Sequence, residues 1–312
     1  MRMKIGVPDL ISNSYFPAVA AVELGIMREE GVNAEIELVF PVDRAYAALR
    51  NGDLDFVAGS AHSALSAFPE WNDVKLVCAQ GQGMYWFLVM RKDLSPQRND
   101  LSIVKGRRIG AAPWVDMGLR QLLIAGGIDL NRDGVQIAPV PGAIGKTVNF
   151  GLTAAHALEK GLIDGFWANG MGAETAVRSG AGSVVIDVRR GDGPAECFNY
   201  TMASIATTER KIATDPQQVE AVVRAIVRTQ EILKAAPEKA AEVAAKVFPA
   251  TEAKLISDLI RRDIPQYSAG ISRTFVEGMN VFCRRGGILN GAPAYDDVVA
   301  TRFQSLWQPK QI

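Results

Sequence analysis

Few side chains in this chain of 312 residues are suited to acid–base, nucleophilic or metal chemistry. It has two histidines, His62 and His156, and three cysteines, Cys78, Cys197 and Cys283. The cysteines are odd in number, far apart and without the spacing of a metal site, which is typical of small buried side chains. Two histidines are too few for the usual zinc ligand sets. We therefore expect no bound metal and no cofactor.

His62 and Cys78 are the candidates for a catalytic group. His62 lies in the sequence GSAHSA, where no lysine stands beside it, so a structural or ligand-contact role is favoured over catalysis. Cys78 is expected at the end of a strand, where it would be the one candidate nucleophile. No neighbouring cation would lower the pKa of its thiol, and a buried, unreactive thiol is the alternative.

Aromatic residues gather where strands are predicted to end. Trp86, Trp114 and Trp167, three of the five tryptophans, all fall at such places. A flat ligand stacks well on aromatic rings, and helix N-termini with nearby hydroxyl groups bind anions. The pattern predicts a small anion, a sulfonate or carboxylate, with a planar or aromatic body. The alternative, which the sequence leaves open, is that the tryptophans only pack between the loops and do not contact a ligand.

The candidate ligand contacts all lie just beyond a predicted strand or at the start of a helix. They are Asp9, Ser12, Asn13, Ser14, Tyr15, Phe16, Arg44, Ser60, His62, Gln82, Tyr85, Trp86, Trp114, Asp116, Trp167, Asn169 and Asn199. Arg44 is a candidate counter-charge, although a position on a helix surface explains it equally well. The glycine-rich stretches GQG (81–83) and GAIG (142–145) lack the spacing of a nucleotide-binding loop.

Composition excludes several classes of partner. The 34 basic and 34 acidic residues cancel, and no long basic run is present, so nucleic-acid binding is not expected. No apolar stretch is long enough for a membrane span.

We expect the protein to be a monomer.

Two similar stretches show how the chain positions these residues. ALRNGDLDFVAGS begins at Ala48 and ALEKGLIDGFWAN begins at Ala157, 109 residues later. In both, a helix is predicted to end at a glycine, Gly52 or Gly161, because glycine adopts the left-handed conformation without a Cβ clash. Buried strands are predicted next, at 54–58 and 162–168. We interpret the repeat as equivalent positions in two similarly wound halves.

The alternation of strands and helices predicts an α/β fold of two lobes, each a mixed, mostly parallel sheet flanked by helices. Lobe 1 is expected to comprise residues 1–89 and 199–312, and lobe 2, an insertion, residues 90–198. Two crossover strands, within 83–94 and 196–207, would join the lobes and act as hinges. Ligands bind beyond the carboxyl ends of strands in open α/β sheets, so we expect the ligand in the cleft between the lobes.

Individual helices are predicted at 17–30, 44–51, 116–125 and 147–160, with another that is capped by Ser60 and ends before Pro69. After Thr208 the chain is predicted to be almost entirely helical and to pack on lobe 1. Asp215 with Pro216 indicates one helix start, and Thr251 and Ser272 are expected to cap two further helices.

Taken together, the chain resembles the solute-binding proteins of ABC transporters in the nitrate-, sulfonate- and taurine-binding group, whose type II periplasmic-binding-protein fold is shared with the thiamine-pyrimidine synthases. The residues that carry the resemblance are PAVAAVELGIMREEGVNAEI, ALRNGDLDFVAGS, GMYWFLVMRKDL, IVKGRRIGAA followed by LLIAGGIDL, ALEKGLIDGFWAN and the helical tail. The resemblance implies a small anion delivered to a membrane permease and its ATPase, in the periplasm or another extracytoplasmic space.

Two other functions stay open at this point. One is a cytoplasmic enzyme of the same fold that acts on a small aromatic or pyrimidine-like substrate, and the other is a regulatory ligand-sensing domain. The resemblance argues against the pyrimidine synthases, which need a lysine beside the histidine and a cysteine-rich segment. It also argues against the aromatic sulfinate-cleaving enzymes, because 9–16 contains no cysteine. A native start at Met1 would favour a cytoplasmic enzyme, and a secretory leader would favour transport.

Overall fold

A computed structural model of the chain describes residues 2–143 and 149–308. Its strands, in chain order, are β1 (Met3–Val7), β2 (Ala34–Leu38), β3 (Phe56–Ser60), β4 (Val74–Gly81), β5 (Phe87–Arg91), β6 (Arg108–Ala111), β7 (Gln136–Ala138), β8 (Gly165–Ala168), β9 (Gly182–Asp187) and β10 (Ala203–Thr208). Its α-helices are α1 (Phe16–Glu23), α2 (Ile26–Glu29), α3 (Val42–Asn51), α4 (Asp116–Ala125), α5 (Phe150–Glu159), α6 (Gly170–Arg178), α7 (Glu209–Thr214), α8 (Pro216–Ala235), α9 (Lys239–Val247), α10 (Ala250–Asp263), α11 (Arg273–Arg285) and α12 (Tyr295–Val298).

The chain divides into two compact units, each built on one sheet. The first unit contains the residues up to Gln82 and those from Thr201 onward, and the second contains Gly83–Tyr200. These boundaries differ from the expected 89/90 and 198/199. The first expected boundary cuts through β5, all of which pairs with β8 and β9 inside the second unit.

The two sheets have the same strand order. The first is β2-β1-β3-β10-β4 and the second is β7-β6-β8-β5-β9. In each, one strand (β10 or β5) is antiparallel to both of its neighbours, while the other four run in a common direction. The predicted fold class is confirmed. Strands β5 and β10 of the two crossover segments pair inside their own sheets, and the segments also share a backbone hydrogen bond from the Met84 N–H to the Phe198 carbonyl.

The repeated stretches occupy equivalent places, as the sequence indicated. One forms α3 and β3 and the other forms α5 and β8, and β3 and β8 are each the third strand in the spatial order of their sheet. Gly52 (φ 85°) and Gly161 (φ 69°) both adopt the left-handed conformation just after the helix. Here a side chain would be strained, so the shared glycine follows from backbone geometry.

The shared aspartate of the repeat binds β3 to its neighbour β1 and β8 to its neighbour β6. Asp55 Oδ2 accepts a hydrogen bond from the backbone N–H of Lys4 at 2.9 Å, and Asp164 Oδ2 accepts one from that of Arg108 at 2.9 Å. In return, the N–H groups of the aspartates donate to the carbonyls of Lys4 and Arg108. The repeated aspartate therefore has a structural role.

Several predicted elements differ in extent. The helix expected at 17–30 is two helices, α1 and α2, on either side of Gly25. The segment after Ser60 is a 3-10 helix, Ala61–Ser66. The helix expected from 147 begins at Phe150 in the structure; residues 147 and 148, like 144–145 of the GAIG stretch, lie outside the described residues.

The helical tail belongs to the first unit. The buried face of α8 packs on α1 and on β4. Asp215 precedes α8 with Pro216 in its first turn, but its side chain makes no capping hydrogen bond, in contrast to the expected cap. Ser272 caps α11 by accepting a hydrogen bond from the Phe275 N–H, as expected. Thr251 lies inside α10, which begins one residue earlier after Pro249, so its predicted capping role is wrong. No described helix combines the length and the apolar character that a membrane crossing requires.

Candidate functional site

The loop that follows β1 carries a buried polar cluster at the carboxyl edge of the first sheet. Ser12, Asn13 and Ser14 are at most 1% exposed. The Asn13 side-chain amide Nδ2 donates to the carboxylate of Asp263, and the hydroxyl of Tyr267 donates to the Asn13 carbonyl at 2.7 Å. The end of α10 and the segment after it therefore hold this loop in place.

Three buried polar atoms at this edge have no hydrogen-bond partner among the described residues. They are Oδ1 of Asn13, Oγ of Ser14 and Oγ of Ser204. An unsatisfied buried polar group costs about 1–3 kcal/mol, and such groups in native proteins need an explanation. Ser204 lies opposite Gly59 in the sheet, near the carboxyl end of β3.

The N-terminus of α1 offers fewer free donors than the sequence suggested. Pro17 has no N–H, and the N–H of Ala18 donates to Gln80 Oε1 at 3.2 Å. Gln80 is fully buried and also donates to the Ser204 carbonyl at 3.2 Å. The Phe16 ring is fully buried, with its centroid 6.1 Å from that of Phe248. The side chains of the preceding loop therefore keep more unused hydrogen-bonding capacity than the start of this helix.

Ser60 and His62 are both fully buried after β3. Ser60 Oγ lies 2.6 Å from Ser63 Oγ, and His62 Nδ1 lies 2.9 Å from Thr201 Oγ1. The His62 ring packs edge-on against Phe282 at 5.3 Å between centroids. These contacts fix the imidazole within the fold, which favours the structural role that the sequence preferred over catalysis.

The other candidates of the first unit differ in exposure and in hydrogen bonding. Asp9 Oδ1 accepts the Ile11 N–H at 3.0 Å, and Gln82 Nε2 donates to two carbonyls, of Ser268 and Gly270, at 2.8 Å each. Arg44 is exposed in the first turn of α3, in agreement with the interpretation that it lies on a helix surface. Tyr15 is 4% exposed at the start of α1.

Aromatic rings line the corresponding edge of the second sheet. The ring centroids of Tyr85 and Trp86 are 4.6 Å apart, and those of Trp86 and Trp167 are 6.2 Å apart. The Arg189 guanidinium lies 5.4 Å from the Tyr85 centroid. Trp167 is fully buried, so in this structure its main contribution is packing.

Trp114 differs from its neighbours because it is half-buried and has a positive φ of 68°. It lines an open pocket of about 290 Å³ beyond β6 and β7, together with Ala111, Pro113, Asp116, Met117, Arg120, Ile137 and Pro139. Arg120 Nε pairs with Asp116 Oδ2 at 2.8 Å, and its Nη2 donates to the Ile137 carbonyl at 3.0 Å. A strained backbone beside a pocket is typical of functional sites.

Asn169 is positioned by a close helix crossing. Its Oδ1 caps α6 by accepting the Gly172 N–H at 3.0 Å. A Cβ at Gly172 would lie 2.7 Å from the Gly151 carbonyl oxygen, so α5 and α6 touch through backbone at this point. Asn199, the last candidate, is half-buried at the end of the 3-10 helix Ala195–Asn199.

The cysteines are poor nucleophiles. Cys78 lies inside β4, which extends to Gly81, and not at a strand end as expected. Burial raises the pKa of its thiol far above the ordinary value, and burial raises that of Cys283 in the same way. Among the described residues no group of histidine, cysteine and acidic side chains could hold a metal ion.

The predicted residues thus form one group in each unit, and ligand contact by either group stays a prediction. Sequence reasoning missed Asp263, Tyr267 and Ser204, which complete the buried cluster of the first unit. Asp263 is 250 residues from Asn13 in an ordinary amphipathic helix, so no local pattern signalled it.

The model of one protein family, described as NMT1/THI5 like, matches residues 12–240. The chain belongs to the NMT1/THI5-like family. Among solved structures, this NMT1/THI5-like protein is similar to the alkanesulfonate-binding protein SsuA from Xanthomonas axonopodis pv. citri bound to MOPS. The TM-score is 0.70 and the identity 15%, with 97% of each chain covered.

Two further structures share the fold. One is the periplasmic nitrate-binding protein NrtA from Synechocystis PCC 6803 (TM-score 0.69, 13% identity, 98% of this chain and 87% of that chain). The other is DSZB, a desulfurization enzyme, in complex with biphenyl-2-sulfinic acid (TM-score 0.66, 15% identity, 98% of each chain). No curated protein sequence matches this NMT1/THI5-like protein. Because the fold occurs in binding proteins and in an enzyme, the fold alone does not decide between these functions, and the side chains of the site must be weighed as well.

Proposed function

We propose that this protein is the solute-binding component of an ABC importer and that it binds a small organic anion, a sulfonate or carboxylate. The observation that carries the proposal is the likeness, over nearly the full length of both chains, to the alkanesulfonate-binding and nitrate-binding proteins. Membership of the NMT1/THI5-like family is consistent with it.

The polar chemistry of the first unit supports an oxygen-rich ligand. The hydroxyl of Ser14 is buried and has no partner among the described residues, so it is able to donate to a sulfonate or carboxylate oxygen. Hydrogen bonds to an ionised acceptor are about twice as strong as neutral ones.

The second unit supports a ligand with a flat or apolar body. Trp114 is its accessible tryptophan, and the pocket beside it combines apolar walls with the Arg120–Asp116 ion pair. Offset stacking on an aromatic ring contributes about 0.5–1.5 kcal/mol beyond area burial. The proposal therefore includes aromatic anions such as benzenesulfonate.

An importer function implies a membrane permease with its ATPase as partners and an extracytoplasmic location for the binding protein. Both belong to the proposal. Their support is the description of related structures as parts of ABC import systems and as periplasmic proteins.

An enzyme is the second candidate, because DSZB shares the fold. Two contacts weigh against it in the described part of the chain. The Cys78 thiol is fully buried with a raised pKa, and His62 is fully buried and held by Thr201. A nucleophile needs an accessible thiolate or an adjacent base.

A thermal-shift screen tests the proposal. The panel contains nitrate, bicarbonate, short alkanesulfonates, benzoate, benzenesulfonate and biphenyl-2-sulfinate, with sulfite release measured for the last compound. A ligand present at about 100 times its Kd stabilises the folded state by about 2.7 kcal/mol, so a clear rise in melting temperature with at least one organic anion is expected. No stabilisation by any organic anion, or turnover of the sulfinate, would contradict an importer component.

A further inference from the structure

The Asn13 side chain has an orientation that its surroundings fix. Its Nδ2 donates to Asp263 Oδ2, and the other oxygen of that carboxylate lies 3.6 Å from Arg262 Nε. A carboxylate only accepts hydrogen bonds, so the amide must direct its NH₂ group to Asp263. Its Oδ1 is therefore directed elsewhere, as an acceptor.

That acceptor is buried and unsatisfied. Asn13 has no exposed surface, and its Oδ1 has no partner among the described residues. The loop that carries it cannot easily turn away, because the Tyr267 hydroxyl binds its carbonyl and Asp263 binds its amide. A donor from outside this cluster, either a solute N–H or O–H group or a bound water, would satisfy the acceptor.

The position of Asn13 sets it apart from another buried amide. Asn280, 5% exposed, also has its Nδ2 bound, to the Pro293 carbonyl at 3.1 Å, and its Oδ1 without a partner in the described residues. Asn280 lies in the middle of α11, whereas Asn13 lies in the loop beyond the carboxyl end of β1. Ligands of open α/β sheets bind at such strand ends.

We propose that Asn13 Oδ1 selects solutes that carry a hydrogen-bond donor, an amino or hydroxyl group, in addition to the acidic group. Asp263 acts as the positioning residue, because it decides which end of the Asn13 amide is presented. The inference rests on the proposed solute-binding function and narrows its substrate class to amino- or hydroxy-substituted small acids.

The test uses pairs of solutes of similar shape in which an amino group replaces a methyl group. The amines of the first two pairs are protonated at neutral pH and that of the third is neutral, so the third pair separates the donor from a change of charge. The pairs are 2-aminoethanesulfonate with propanesulfonate, 3-aminopropanoate with butanoate, and 4-aminobenzenesulfonate with 4-methylbenzenesulfonate. Affinities are measured by titration calorimetry on the full chain. A site built around a buried acceptor disfavours a methyl group there, so the amino member of at least one pair should bind about tenfold or more tightly.

Variants assign the preference to Asn13. Asn13→Leu should reduce the amino-to-methyl affinity ratio to near one. Asp263→Asn should also reduce the ratio, because a neutral amide at 263 no longer forces the Asn13 amide into one orientation. Asn280→Leu is the matched control and should lower the melting temperature while the ratio stays as in the parent protein.

Three outcomes would overturn the inference. Equal or tighter binding of the methyl members by the parent protein removes the donor requirement but leaves an anion-binding function intact. A ratio unchanged in both Asn13→Leu and Asp263→Asn places donor recognition elsewhere. Binding of no acid in the panel overturns the inference together with the proposed function. The parent-protein comparison stands even if Asn13→Leu does not fold.

Discussion

Trp114 combines a residue type and a backbone conformation that rarely occur together. At φ 68° a side chain with a Cβ is strained, and the ring is half-buried beside the pocket of the second unit. Such strain costs of order 1–3 kcal/mol and persists where function requires it. Trp167, by contrast, is fully buried with an ordinary strand conformation.

Replacement of Trp114 by glycine should therefore separate stability from binding. In Trp114→Gly, relief of strain offsets the lost packing, so the free energy of unfolding should change by less than about 1 kcal/mol. Affinity for benzenesulfonate should fall about tenfold, as measured by calorimetry. Trp167→Ala should instead cost about 3–5 kcal/mol in urea unfolding. Unchanged benzenesulfonate affinity in Trp114→Gly would refute a stacking role for this ring.

Asp164 should make stability depend on pH. Burial raises the pKa of this carboxyl, but hydrogen bonds from the backbone and guanidinium of Arg108 lower the pKa by a larger amount. The net pKa therefore lies below its ordinary value. Because the folded pKa is below the unfolded value near 4, the stabilisation is complete at neutral pH. It is lost as the pH falls through the folded pKa.

Asp164→Asn should accordingly destabilise the protein at pH 7 and have a smaller effect below about pH 4. The measurement is urea unfolding of the parent protein and the variant at pH 7 and below about pH 4. Glu174→Gln on α6 is a control, since its ion pair with Arg178 lies at the protein surface and such pairs contribute little. A destabilisation of Asp164→Asn that is equal at both pH values would show that the charge of Asp164 is not involved.

At the level of single residues, the sequence was informative about position and uninformative about distant partners. It placed tryptophans at strand ends and identified the repeated glycines, because those depend on neighbours in the chain. It did not reveal the partners of Asn13, because the contact with Asp263 depends on the packing of a helix that lies far along the chain.

Secondary-structure elements were predicted best where periodicity and end signals agreed. The helix predicted at 116–125 was found as α4 with the same bounds. The segment after Ser60 was predicted to be helical, but its bonding is 3-10, and its Ser60 side chain bonds Ser63 Oγ instead of capping a backbone N–H. Strands β3 and β8 begin just after Asp55 and Asp164, later than expected, because those side chains bind back to β1 and β6.

The crossing of α5 and α6 is an element-level feature with a direct test. Because a Cβ at Gly172 would lie 2.7 Å from the Gly151 backbone, Gly172→Ala must separate the two helices. The expected cost is about 1–3 kcal/mol in unfolding free energy. Gly270→Ala is the control, since its Cβ would meet nothing closer than Trp307 at 3.9 Å. Equal stability of the two variants would contradict the backbone contact.

At the scale of the whole molecule, each unit has its chain ends close together. In the first unit Gly81 is paired with Ala203 across β4 and β10. In the second, the Met84 N–H donates to the Phe198 carbonyl at 3.1 Å. Because the two ends of each unit are neighbours, a short linker can join them, or the unit can be expressed alone, without disruption of its sheet.

We expect residues 83–200 to fold when expressed alone. The first unit should also fold when that segment is replaced by a linker of about two to five residues, the usual length of a hairpin loop. Circular dichroism and urea unfolding should show one cooperative transition for each piece. A piece that stays unfolded at low temperature in buffer would show that the two units are not independent folding units.

The exchanged antiparallel strands also bear on the ancestry of the chain. Counted in chain order, β1–β5 and β6–β10 form two sets of five, and each set gives its fifth strand to the sheet of the other, between the third and fourth strands. Duplication and fusion of a gene whose product paired by exchanging its last strand leaves this connectivity, and such swapping is a low-cost route to a dimer. The matching stretches at Ala48 and Ala157 are then surviving traces of one inherited segment, copied once and still recognisable.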